Sequence, residues 1–149
     1  MARILVVEDN PINMTLAVFL LQTAGHSVLT ATDAESGLRI ARSDLPDLIL
    51  MDIQLPDMDG LEATGRLKRD EATRAIPVIA LTALAMKGDE ERIRAAGCDG
   101  YIAKPLAYKD FLAKIASQLV SAGAKVDQKA LAELAEAIRR ESKPGNDAT

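Results

Sequence analysis

Apolar positions along this chain alternate between two periods. Short runs rich in Val, Ile and Leu fall at residues 4–7, 28–30, 48–51, 78–81 and 101–103. Each is continuous rather than alternating, as expected for strands buried on both faces. The stretches between them have helical spacing. The first opens at Pro11 after Asn10, a capping residue followed by proline at the first helical position. It carries Met14, Val18 and Leu21 and stops near Gly25. Further helices are expected over about 34–43, 60–69 and 86–95. The fifth, over 107–120, aligns Phe111, Leu112, Ile115, Ala116 and Leu119 on one stripe. Gly25, Gly97 and Gly100 stand where helices would stop, and Pro46 and Pro77 precede strands.

Five βα units of this kind predict an α/β fold, a doubly wound five-stranded parallel sheet with right-handed crossovers, over about 120 residues. In such sheets ligands bind outside the carboxyl ends of the strands. Composition narrows the class. No run approaches the roughly 18 apolar residues of a membrane span, so no membrane insertion is expected. The opening Met1-Ala2-Arg3, four apolar residues and Glu8-Asp9 do not make the apolar core of a secretion signal. The single cysteine, Cys98, excludes an intramolecular disulfide framework and fits a reducing, cytoplasmic setting. Net charge is −4, so there is no general basic footprint for nucleic acid. Without Trp, and with two Tyr and two Phe, aromatic stacking sites are not expected.

Polar chemistry collects where the fold demands it. The first strand leads into Glu8-Asp9, the third into Asp52, the fourth into Thr82 and the fifth into Lys104-Pro105. Acids after strands can also be helix caps or solvated loop residues. Three carboxylates brought to one sheet edge repel one another, and a hard divalent cation with oxygen ligands, Mg²⁺ above all, relieves this.

The set Glu8-Asp9, Asp52, Thr82 and Lys104-Pro105, with Met58-Asp59-Gly60 after the third strand, resembles the receiver domain of two-component response regulators, the CheY-like proteins of flavodoxin-like topology. The resemblance covers about residues 2–120 and matches every signature position in order. Val7-Glu8-Asp9-Asn10 and Met51-Asp52-Ile53-Gln54-Leu55-Pro56 look most like hybrid-kinase receivers and single-domain regulators, and residues 85–92 are similar to the DivK type. The resemblance implies that Asp52 accepts a phosphoryl group from a sensor histidine kinase or histidine phosphotransfer protein. It implies Mg²⁺, with Mn²⁺ as an alternative, held by Asp9, Asp52 and the backbone carbonyl of Gln54, with Glu8 acting mainly through water. Lys104 would pair with Asp52 and then with a phosphoryl oxygen, beside the Thr82 hydroxyl and the Ala83 amide. The Lys104–Pro105 bond would be cis. Tyr101 sits where the family keeps a switch aromatic; it reads equally well as a core aromatic with its hydroxyl at the surface.

The expected function is a phosphoacceptor signalling protein rather than an enzyme, acting through phosphorylation-dependent contacts with downstream proteins. A passive phosphate sink or docking module is the alternative. A small-molecule phosphatase on a related fold is disfavoured, because Gln54 stands where haloacid-dehalogenase enzymes use an acid two residues after the nucleophile. The acidic turn Pro56-Asp57-Met58-Asp59 reads as the loop and cap of the third helix. His26 reads as an exposed turn residue, and Cys98 as a semi-exposed structural thiol.

Beyond the receiver, residues 121–126 read as a linker and 127–141 as an amphipathic helix capped by Asp127. Residues 142–149 have the composition of a disordered tail. Leu131, Leu134, Ala135 and Ile138 form a stripe that something must cover. Residues 121–149 hold five basic and five acidic residues, and a neutral segment with one helix is not a DNA-reading module. The stripe either folds back on its own domain or pairs with a second chain; a homodimer is the expectation.

Overall fold

The computed structural model describes residues 2–83 and 87–121, with the side chains of 87, 88 and 121 outside the description. The strands are β1 (Arg3–Val7), β2 (Ser27–Ala31), β3 (Leu48–Asp52), β4 (Val78–Thr82) and β5 (Gly100–Ala103). The helices are α1 (Pro11–Thr23), α2 (Ala34–Asp44), α3 (Gly60–Arg69), α4 (Lys87–Ala95) and α5 (Tyr108–Ser121). The strands make one parallel sheet in the order β2-β1-β3-β4-β5. The expected α/β architecture is therefore present. The linker, C-terminal helix and tail expected over 121–149 lie outside the described residues, apart from Ser121, which is the last residue of α5 rather than the start of a linker.

Alternation along the strands divides the core into two layers. Ile4, Val6, Leu48, Leu50, Ile79 and Leu81 face α1 and α5, where they meet Leu20, Leu21, Phe111, Leu112, Ile115 and Leu119. Leu5, Val7, Ile49, Met51, Val78 and Ala80 face the other way, against Ala34, Ala41, Ala63, Leu67 and Ile93 of α2, α3 and α4. Both faces of the sheet are covered, which is why β3 and β4 are buried at every position. Among the described residues no helix is long and apolar enough to cross a membrane.

Local chemistry sets the element ends. The Asn10 side chain accepts from the backbone N–H of Ile12 at 2.9 Å and of Asn13 at 3.1 Å, with Pro11 opening α1 as expected. In α1 the buried residues are Ala17, Leu20 and Leu21, with Met14 only partly buried; the inward stripe is one of small and leucine side chains. Cys98 and His26 depart from their expected exposure. Cys98 is buried, with its thiol 3.8 Å from the Thr64 hydroxyl, and burial pushes that thiol up from its ordinary pKa. His26 is half-buried, its Nδ1 accepting from the Ala2 N–H at 3.3 Å.

Helix α2 ends on a non-glycine residue in the left-handed region: Leu45 has φ 46° and is 53% exposed. A side chain in this conformation costs about 1–2 kcal/mol, and glycine returns part of that through the greater freedom of its unfolded chain. Leu45→Gly is expected to stabilise the protein by about 0.5–1 kcal/mol in urea denaturation, whereas Leu45→Ala, which keeps the Cβ, shows no such gain.

Candidate functional site

The strand order reverses between β1 and β3, so the crevice at their carboxyl ends is the switch point of the sheet. Register brings the relevant residues to this edge: Val7 lies beside Ala31 and Met51, Asp52 beside Leu81, and Thr82 beside Ala103. Glu8 continues the ladder, its N–H donating to the Ala31 carbonyl at 3.0 Å, and the Lys104 N–H donates to the Thr82 carbonyl at 2.7 Å. The Lys104–Pro105 bond is cis.

Glu8, Asp9 and Asp52 each offer a carboxylate oxygen within 4.8 Å of the others. Glu8 and Asp52 are buried and Asp9 is exposed. Lys104 Nζ stands between the two buried acids, 2.8 Å from Glu8 Oε1 and 3.2 Å from Asp52 Oδ2. The remaining oxygens are also held. Asn10 donates its N–H to Glu8 Oε2 at 3.1 Å, and Gln54 donates its N–H to Asp52 Oδ1 at 3.0 Å. The ammonium is thus shared, and its shorter contact is with Glu8 rather than with Asp52. Glu8 is 1% exposed, with both its carboxylate oxygens in contact with neighbours of this edge.

Burial pushes the Asp52 carboxyl up to about 6, and the Glu8 carboxylate beside it adds to the rise; the Gln54 N–H and Lys104 work against it. For Lys104, burial works to lower the ammonium, but the ion pairs with Glu8 and Asp52 outweigh it and hold its pKa above the ordinary value. Three carboxylates facing one ammonium leave an excess of two negative charges. An all-oxygen donor set with that excess suits a hard divalent cation.

The loop after β3 is built around this edge. Gly60 donates its N–H to the Ile53 carbonyl at 2.8 Å, and a Cβ at Gly60 would collide with the Asp52 carbonyl oxygen and come 2.8 Å from Ile53 Cα. Only glycine lets the chain return this close to β3. Within the acidic turn, Asp59 caps α3 as expected, accepting from the Leu61 N–H at 2.7 Å. Asp57 does something the sequence did not suggest. Its carboxylate accepts from Ala34 N–H at 2.9 Å and Glu35 N–H at 3.0 Å, so it caps α2 beside the helix's own cap, Asp33. Those two N–H groups hold the Asp57 carboxyl below its ordinary pKa. The cue lay in the spacing of neither segment, because the partners are 22 and 23 residues apart.

Other residues singled out from the sequence fall nearby. Thr82 is buried at the end of β4, and Ala83 follows it, exposed. Tyr101 is half-buried on β5, with Lys114 Nζ 5.3 Å from its ring centroid and donating to its carbonyl at 3.2 Å. It borders a groove of about 320 Å³ shared with Glu90, Arg94, Lys114 and Gln118.

A buried acid raised to about 6 carries a pH signature. Its ionised form is disfavoured in the folded chain, so its contribution to stability falls as pH rises from 3.8, the ordinary carboxylate value, to about 6. In EDTA, Asp52→Asn is expected to be more stable than the parent at pH 8 by up to about 3 kcal/mol, at about 1.4 kcal/mol per pKa unit. The difference should shrink toward zero as pH falls to 4, as read by urea denaturation of the two proteins side by side.

Comparison with known proteins agrees with this geometry. Residues 4–116 match the response regulator receiver domain. The polar-differentiation response regulator DivK of Brucella ovis is 51% identical over 116 residues, which cover 78% of this chain and 94% of that protein. The receiver domain of a Pseudomonas aeruginosa sensor histidine kinase, with a magnesium ion coordinated in its active site cleft, superposes with a TM-score of 0.75 at 37% identity, covering 80% of this chain and 98% of that one. A CheY-like receiver domain protein from Methanospirillum hungatei gives a TM-score of 0.76 at 30% identity over 83% and 97% of the two chains. On its fold, its strand-end chemistry and these similarities, this chain belongs to the response regulator receiver domain family.

Proposed function

We propose that Asp52 is the phosphoacceptor of this response regulator, taking its phosphoryl group from a phosphohistidine on a sensor histidine kinase or histidine phosphotransfer protein in the cytoplasm. The observation that carries this is the Asp52 carboxylate itself, at the switch point, flanked by two further acids and within 3.2 Å of an ammonium. In transfer, a carboxylate oxygen of Asp52 bonds to phosphorus as the bond from phosphorus to the histidine nitrogen breaks, leaving an acyl phosphate and a neutral imidazole once protons equilibrate.

Asp9, Asp52 and the Gln54 carbonyl would hold Mg²⁺. When bound, the ion supplies positive charge against the carboxylates and the incoming phosphoryl oxygens. The magnesium in the Pseudomonas receiver's active site cleft supports Mg²⁺ over Mn²⁺. Glu8 acts from behind, since both its oxygens are engaged by Lys104 and the Asn10 N–H; this favours contact with a cation through water over direct ligation. Lys104 is placed to follow the charge: as Asp52 gains the phosphoryl group, the ammonium moves from a shared carboxylate contact to a phosphoryl oxygen, with Glu8 holding its other side. The Thr82 hydroxyl and the Ala83 amide would serve the remaining phosphoryl oxygens.

The signal would leave by the face of α4, β5 and α5. Thr82 and Ala103 are register partners, so a shift at Thr82 is felt on β5, where Tyr101 borders the groove with Arg94 and Lys114. Phosphorylation would bias two arrangements of that face and change its affinity for downstream proteins. The homodimer expected through residues 127–141 rests on their apolar stripe alone.

Incubation with Mg²⁺ and acetyl phosphate is expected to add one phosphoryl group by intact mass, and none in EDTA. Asp52→Ala should abolish the addition, and Lys104→Ala should slow it roughly 100-fold, the scale of losing one preorganised charge contact. Incorporation that persists in Asp52→Ala overturns the assignment.

A further inference from the structure

The turn after β3 reaches across to a helix that it does not lead into. Gln54 and Asp59 form an isolated antiparallel bridge, and Asp57 lies near the tip of the short loop between them. That tip meets the start of α2, where Asp57 Oδ1 accepts from the Ala34 N–H and Oδ2 from the Glu35 N–H, at 2.9 and 3.0 Å. The first N–H groups of a helix have no acceptor within it. The helix's own cap, Asp33, accepts from the Ser36 N–H at 2.7 Å, which leaves the two groups before it to Asp57. The opening of α2 is therefore completed by a residue of another loop.

The same helix touches the other side of the crevice. A Cβ at Gly37 would come 2.7 Å from Val7 Cγ2, so the first turn of α2 rests directly on the last residue of β1. Val7 leads into Glu8 and Asp9, and Asp57 belongs to the loop that carries Gln54. Through one turn, α2 thus holds both chain segments that bring oxygen donors to the strand edge. Gln54 itself is exposed, and its N–H is tied to Asp52 Oδ1 at 3.0 Å. The place of its carbonyl depends on how the loop beyond it is held.

We infer that Asp57 is a positioning residue for the cation site: by tying the β3–α3 loop to α2 it fixes the Gln54 carbonyl relative to Asp9, and it couples occupancy of the site to the order of the first turn of α2. This rests on the cation site proposed above. Both Asp57 oxygens are engaged by α2, and the carboxylate lies outside the acidic cluster of Glu8, Asp9 and Asp52, so its role is placement rather than ligation. The two N–H groups hold its carboxyl below the ordinary value, which keeps the tie ionised throughout the neutral range. Linkage makes the coupling run both ways. If the closed tie raises affinity for Mg²⁺, then bound Mg²⁺ holds the tie closed by up to the same factor.

Titration of the unphosphorylated full chain with Mg²⁺, followed by amide NMR shifts, reads the affinity directly. Asp57→Ala is expected to weaken Mg²⁺ binding about tenfold, the lower end of the loss on removing an outer partner of a metal ligand. Asp33→Ala is the matched control. It removes the same charge and a cap from the same helix end but leaves the loop tied, so the affinity should stay nearly that of the parent. The loss in Asp57→Ala should persist when salt is raised about tenfold, whereas a lost through-space charge would be screened. In the parent, saturating Mg²⁺ should slow hydrogen exchange of the Ala34 and Glu35 amides severalfold, and the slowing should vanish in Asp57→Ala. Unchanged affinity in Asp57→Ala, equal weakening by Asp33→Ala, a loss that salt removes, or Ala34 and Glu35 amides indifferent to Mg²⁺ in the parent would each overturn the inference and leave the cation site standing. A parent that takes up no Mg²⁺, or one whose uptake survives Asp9→Asn unchanged, overturns the cation site and this inference with it.

Discussion

The constraint on which the rest of the molecule depends is the burial of two carboxylates beside each other at the carboxyl ends of β1 and β3. Glu8 and Asp52 are both almost fully enclosed, so their charge has to be offset from within the protein. Lys104 does so from the end of β5, two strands away from β3, and contacts both. Removing Lys104 would leave both buried carboxylates without a counter-charge, a loss of several kcal/mol. The register of four strands is therefore fixed by charge at this edge as well as by the alternation that fills the two core layers. The same enclosure raises the Asp52 carboxyl to about 6.

The strands, their order of chemistry and the site were legible because each depends on short-range pattern. Unbroken aliphatic runs read as doubly covered strands, and the polar residue that ends each run is at the sheet edge by construction. The cap at Asn10 and the stripe at Phe111, Leu112, Ile115 and Leu119 were legible for the same reason. What escaped reading involves residues far apart in sequence meeting in space. Nothing in the chain says that Lys104 approaches Glu8 more closely than Asp52, because both acids sit at neighbouring strand ends. Cys98 looked half-open in its turn because Thr64 and α3, which close over it, are 34 residues away. Helix α1 carries apolar side chains on its outer face as well as its inner one, so the spacing of Met14, Val18 and Leu21 did not show that Ile12, Leu16 and Phe19 would be exposed.

Asp57 illustrates how a loop can carry two duties that sequence spacing separates. The turn that follows the acceptor strand closes on itself through Gly60, and it also holds the first N–H groups of α2. The β3–α3 loop is therefore braced at both ends, against the strand that bears Asp52 and against a helix packed on the same core layer. Backbone groups near the acceptor are positioned by neighbours that do not themselves touch it.

The acidic cluster at the strand edge and the uncharged helix α1 adjoin: Asp9 and Asn10 lead directly into α1. Mobile ions distinguish between such neighbours. Added salt screens the field of exposed charge such as Asp9 beyond a Debye length of about 8 Å at physiological ionic strength, but has no charge to screen on Ile12, Leu16 or Phe19, which are exposed on α1. Ions that strengthen apolar burial, such as sulfate, act in the reverse sense on that face. Whatever meets this end of the molecule therefore meets two surfaces with opposite responses to the ionic environment, separated by a single turn of helix.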